Sequence, residues 1–129
     1  MPEVELRLGW VIVYVDDPAA ASAFYENAFG LRGEFAVPDY AQLDTGPTKL
    51  AFASYALGEK NFAGGVRRAE GQPANVEITL VADDVDTAHA RALEAGCTPL
   101  APPEDKPQGQ RVAYVRDPLG TLVELATPL

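Results

Sequence analysis

Apolar residues alternate along residues 8–15. Val11, Val13 and Val15 share one face, and Leu8, Trp10, Ile12 and Tyr14 share the other. Both faces are apolar, so the segment reads as a strand covered on both sides. Asp17-Pro18 then opens a helix, because Asp caps and Pro suits the first helical position. Ala20, Phe24 and Ala28 form a stripe through residues 19–29, beside Ala21 and Tyr25, and Gly30 ends it. Three strand-like segments follow, at about 32–37, 40–43 and 49–55. Turn signals at Pro38-Asp39 and Asp44-Thr45-Gly46-Pro47 separate them. Residues 56–75 are rich in Gly and polar side chains, including Gly64-Gly65 and Gly71-Gln72-Pro73, and read as a linker or loop, although Phe62 and Val66 could dock.

The pattern then returns. In residues 76–82, Val76, Ile78, Leu80 and Ala82 oppose Glu77, Thr79 and Val81. Asp83-Asp84 starts a second helix over residues 85–95, with Val85, Ala88, Ala92 and Ala95 as its stripe, and Gly96 stops it. Residues 98–100 read as a short strand and the Pro-rich stretch 101–110 as an irregular loop. Two last runs, 112–115 and 121–125, flank Asp117-Pro118-Leu119-Gly120 and predict a hairpin. The sequence therefore repeats a β-α-β-β-β pattern. Trp10 and Glu77 each precede a capping aspartate, Asp17 and Asp84, by the same spacing. Module one covers about 5–55 and module two about 76–127, as one domain of 129 residues.

Composition narrows the partners. A net charge of −9 repels phosphate backbones and anionic membranes, which leaves nucleic acid and membrane surfaces as poor partners. No apolar run approaches the ~20 residues that span a bilayer. The first residues lack a basic segment followed by an apolar one, so no secretory leader is expected. Cys97 is the only cysteine, which suits a reducing cytoplasm. It follows a helix-ending glycine and reads as a buried structural thiol. No phosphate-cradling glycine loop is present. His89 lies mid-helix and reads as a surface or boundary residue.

The segments VYVDDPAAASAFYENAFGL, VEITLVADDVDTAHARALEAG and RVAYVRDPLGTLVEL resemble the vicinal oxygen chelate superfamily, the glyoxalase, bleomycin-resistance and extradiol-dioxygenase group. The resemblance implies an α+β fold of paired βαβββ modules. Their strands curl into a mixed-sheet cup with helices outside and ligand inside, and members are often homodimers. It also implies metal ligands, usually His and Glu, near the start of each module's first strand and on its last strand. In this chain those positions hold Trp10, Ala51, Glu77 and Glu124. Trp and Ala side chains cannot ligate a divalent metal. Only Glu77 and Glu124 remain as ligand candidates, so no catalytic metal and no other cofactor is expected.

Glu124 lies within a strand, where a charge is solvated, paired or bound to something. If Glu77 and Glu124 are neighbours, they are the candidate catalytic pair, because close carboxylates resist ionising together. They could serve acid–base chemistry or hold a cationic group. They could equally be exposed, or held by Arg111, Arg116 or a Tyr hydroxyl. Trp10 offers a flat face for stacking or simple packing bulk. The expected ligand-binding set is Trp10, Ile12, Tyr14, Tyr40, Phe52, Glu77, Thr79, Arg111 and Glu124. The reading adopted is a cytoplasmic, homodimeric protein binding a small organic molecule, cationic or planar, in an aromatic and acidic cup. The alternatives are a metal-dependent lyase, isomerase or dioxygenase with an atypical ligand set, and a metal-free enzyme using the two glutamates.

Overall fold

A computed structural model describes residues 3–68 and 74–129. The chain divides into two compact units, with the first four strands in one and the last four in the other. In the first, β1 (Trp10–Val15), β2 (Arg32–Val37), β3 (Tyr40–Asp44) and β4 (Lys49–Ser54) form a mixed sheet in the order β1-β4-β3-β2. β1 runs parallel to β4 and the other neighbours are antiparallel. The second repeats this arrangement. β5 (Glu77–Val81), β6 (Thr98–Asp105), β7 (Arg111–Arg116) and β8 (Leu122–Ala126) take the order β5-β8-β7-β6, with β5 parallel to β8. The α+β class and the βαβββ modules are as the sequence predicts.

Capping explains both long helices. α1 (Pro18–Phe29) begins after Asp17, whose carboxylate accepts from the Ala20 N–H at 3.1 Å. α3 (Val85–Ala95) begins after Asp84, which accepts from the Thr87 N–H at 3.0 Å and the Thr87 hydroxyl at 2.6 Å. Gly30 and Gly96 end these helices in the left-handed conformation that costs an L side chain most. Each helix covers one face of its sheet. The Tyr25 ring of α1 packs on Phe52 of β4 with centroids 5.0 Å apart, and both are buried. In the second unit Val85, Ala92, Ala113, Val115, Val123 and Leu125 are buried on the face that α3 covers.

Two sequence expectations need correction. Part of the expected linker at 56–75 is a helix, α2 (Tyr55–Asn61). Ser54 caps it, accepting from the Leu57 N–H at 3.0 Å and donating to Asp39 Oδ1 at 2.8 Å. The glycine that suggests a loop, Gly58, is a packing device: a Cβ there would lie 2.9 Å from Tyr14 Cε1. Phe62 closes the same contact, edge-on to Tyr14 at 6.3 Å. The Gly71-Gln72-Pro73 turn signal lies outside the described residues.

The second correction concerns residues 101–110. They are not wholly irregular, because β6 continues through Asp105 despite Pro99, Pro102 and Pro103. β6 is an edge strand, where a missing N–H is tolerated. The register shifts between Pro99 and Ala101 and again between Ala101 and Glu104.

Candidate functional site

The sheet face opposite each helix carries the candidate chemistry. Strand register equates the two modules position by position. Thr79 pairs with Glu124 in the second sheet as Ile12 pairs with Ala51 in the first. Tyr114 pairs with Glu124 as Gln42 pairs with Ala51. Glu77 and Trp10 each lie two residues before those β5 and β1 partners. Trp10, Ile12, Gln42 and Ala51 are thus the counterparts of Glu77, Thr79, Tyr114 and Glu124.

In the second sheet these residues form a hydrogen-bonded cluster. The Thr79 hydroxyl lies 2.8 Å from Glu124 Oε1 and 3.2 Å from Glu77 Oε2. The Tyr114 hydroxyl donates to Glu124 Oε2 at 2.7 Å. A threonine hydroxyl has one proton for two acceptors. The shorter contact assigns that proton to Glu124, and the Glu77 carboxylate faces the hydroxyl oxygen. Glu124 is therefore held by a Tyr hydroxyl, one of the alternatives left open above. Tyr114 was missed as a site residue. Its signal was present, because a five-residue connection between β7 and β8 places residue 114 opposite 124.

The bond from Tyr114 to Glu124, reinforced by burial and the charges of Glu124 and Glu77, pushes the phenol up to about 12. The folded chain thus holds that proton more tightly than the unfolded chain, whose tyrosines ionise near pH 10. The resulting stabilisation is complete below about pH 10 and is lost as pH rises towards 12. In an absorbance titration at the tyrosinate band, Glu124→Gln should shift the latest-ionising tyrosine back towards about 10.

In the first sheet Trp10 replaces an acid. Its indole N–H donates to Gln42 Oε1 at 2.9 Å, and the Tyr40 hydroxyl donates to the same oxygen at 2.6 Å. Gln42 Nε2 donates to Glu34 Oε2 at 2.9 Å. Burial, and then the Glu34 charge, raises the Tyr40 phenol above its ordinary range. Lys49 lies 3.5 Å from Glu34 and 3.0 Å from Asp44. Gln42 and Glu34 were not anticipated, since neither residue type signals a site on its own.

The expected ligand-binding set divides. Trp10, Ile12, Tyr14 and Tyr40 lie on the open face of the first sheet, and Glu77, Thr79 and Glu124 on that of the second. Tyr14 is covered by α2. Phe52 does not join them. It pairs with Val13, takes the helix-covered face and is 1% exposed. A single residue of register separates it from Ala51 and decides this. Arg111 also points the other way. It alternates with Ala113 and Val115 on the α3 side and is bound by Asp86 at 3.0 Å and Asp105 at 3.1 Å. Cys97 is buried, and burial with the Asp117 carboxylate pushes its thiol up to about 11, so little thiolate exists near neutrality.

The residues at the superfamily's metal positions do not fit a transition metal. The indole N–H is a donor already spent on Gln42, Ala51 offers a methyl group, and two carboxylates remain without imidazole or thiolate. Among the described residues, no group of three or more His, Cys, Asp or Glu side chains is placed to hold a metal ion.

No curated protein matches the sequence. Solved structures do match in fold. A glyoxalase/bleomycin resistance protein/dioxygenase family enzyme from Burkholderia phytofirmans PsJN superposes with a TM-score of 0.81 at 23% identity, covering 96% of this chain and 100% of that one. Lactoylglutathione lyase from Agrobacterium tumefaciens gives a TM-score of 0.71 at 24% identity, covering 96% and 95%. TioX from Micromonospora sp. ML1 gives 0.70 at 26% identity, covering 95% and 99%. Among the described residues no helix is long and apolar enough to cross a membrane. The sequence matches the family model across residues 7–125, and the chain belongs to the Glyoxalase/Bleomycin resistance protein/Dioxygenase superfamily.

Proposed function

We propose that this chain binds a small organic molecule without a catalytic metal, on the open face of its first sheet, and works as a homodimer in the cytoplasm. One observation carries the reading. Trp10 is 56% exposed, yet its N–H is anchored on a buried glutamine. A large apolar ring left in water but held in place suits stacking, which contributes about 0.5–2 kcal/mol with an aromatic or cationic partner. The second sheet's open face carries acceptors of its own. Thr79 and Tyr114 both donate to Glu124, while the exposed Glu77 carboxylate beside them is open to an ammonium or similar donor. The net charge of −9 favours cations over anions at long range.

The chain has a single tryptophan, so its fluorescence reports on Trp10 alone. Titration with a panel of planar organic cations should give saturable quenching or a spectral shift. No change across a broad panel would count decisively against the reading. On the second sheet, Glu77→Gln should weaken binding of an ammonium probe by about 1.5–3 kcal/mol, the usual contribution of a hydrogen bond to a charged group. Elemental analysis of the purified protein tests the metal-free part, and stoichiometric transition metal would overturn it. Light scattering at micromolar concentration tests the dimer.

A further inference from the structure

The geometry points to Gln42 as the residue that positions the Trp10 indole, so that the first sheet's open face recognises a ligand by stacking alone, with no hydrogen bond from the indole. The ligand class that follows is a planar cation or a neutral flat aromatic. The inference deepens the proposed binding role, and its ligand-binding part rests on that reading.

Trp10 is on β1 and Gln42 is on β3, with β4 between them. The indole must therefore cross β4 to place its N–H 2.9 Å from Gln42 Oε1. Trp10 pairs with Lys49 of β4 and Gln42 with Ala51, so the indole runs diagonally over β4 from the level of Lys49 to that of Ala51. Ala51 is fully buried, and a larger side chain there would lift the ring. The alanine at a family ligand position is thus part of the tryptophan's seat.

The amide has one workable orientation. Its oxygen meets two donors, the Trp10 N–H and the Tyr40 hydroxyl, while its nitrogen meets the Glu34 carboxylate. Turning the amide over would oppose N–H to the indole N–H and oxygen to carboxylate. Tyr40 is itself braced by Phe35, with ring centroids 5.7 Å apart. Gln42 is only 8% exposed, so its loss would strand donors that water reaches poorly. The indole N–H is spent inward, which leaves the ring faces and the hydrocarbon edge for a ligand.

The test uses the full chain labelled with nitrogen-15, in which one indole resonance reports on Trp10. Gln42→Leu should move that resonance upfield and speed its hydrogen exchange about fivefold, as expected for one lost hydrogen bond. The double variant E34Q/Q42E exchanges the two groups but keeps every donor and acceptor, and should restore both readouts. Unchanged resonance and exchange in Gln42→Leu would overturn the positioning role. If Gln42→Leu does not fold, Ala51→Leu must produce the same displacement, and an unmoved resonance there is equally fatal.

For binding, N-methylquinolinium and 2-naphthoate serve as planar probes of opposite charge. The cation should bind the wild type, weaken about tenfold in Gln42→Leu through lost preorganisation, and recover in the double variant. Equal weakening in both variants would overturn the recognition role. Failure of every planar probe with the wild type would remove the stacking claim and the proposed function, while the indole resonance still judges the positioning.

Discussion

Phe52→Ala should lower the unfolding free energy by about 3–5 kcal/mol, the usual cost of truncating a buried aromatic. Phe52 is 1% exposed and packs against Tyr25, which is also 1% exposed. The two rings lie 5.0 Å apart with their planes tilted by 56°. Removing one leaves a cavity that α1 and β4, each fixed by its own hydrogen bonds, cannot close, and the loss adds that void to the lost transfer energy. A domain of this size has about 5–15 kcal/mol in all. The midpoint of urea unfolding should therefore fall sharply with the slope unchanged. The same variant separates core from site. At temperatures where it remains folded, its ligand affinity and its Trp10 fluorescence should match wild type, because Phe52 lies on the helix-covered face.

The Phe52 correction shows where sequence reading reaches its limit. Helix starts were legible because capping chemistry is local: Asp17 and Asp84 announce themselves within four residues. The repeated βαβββ order was legible from periodicity and turns. Which side of β4 faces the helix was not, because Leu50, Ala51, Phe52, Ala53 and Ser54 are all buried and no alternation survives. Register against β1 decides it, and parallel register is set by contacts distant in sequence. α2 was hidden for the opposite reason. Its glycine weakens helix propensity by about 1 kcal/mol, and only the Tyr14 ring beneath it explains the choice.

The site was partly legible in the same terms. Trp10, Glu77 and Glu124 stood out as unusual residues on strands. Their holders, Gln42 and Tyr114, are ordinary residues made important by what lies across the sheet. Tyr114 could have been found, since a hairpin fixes its own register. Gln42 required knowing that β3 lies beyond β4 from β1.

Asp117→Ala should cost about 2–3 kcal/mol although Asp117 lies in the connection between β7 and β8 and not on a strand of either open face. Asp117 is 4% exposed, and its Oδ1 accepts from the backbone N–H groups of Leu119 and Thr121, each at 2.9 Å. Its own backbone pairs with Thr121 and Gly120 at 3.0 Å. The side chain therefore organises the whole connection between β7 and β8. Alanine would leave two donors without their acceptor, and each costs about 1–3 kcal/mol to the extent that water cannot reach it. Asp117→Asn keeps a carbonyl oxygen in place and should recover more than half of the loss. The effect should also travel along the hairpin. The turn sets the pairing that puts Tyr114 opposite Glu124. As the connection loosens, the 2.7 Å bond between them should lengthen and the Tyr114 phenol should ionise earlier than about 12. An alanine variant that unfolds at the wild-type denaturant midpoint would show that the loop residues hold the turn without the carboxylate. A destabilised variant whose late-ionising tyrosine is unchanged would show that β7 and β8 keep their register independently of it.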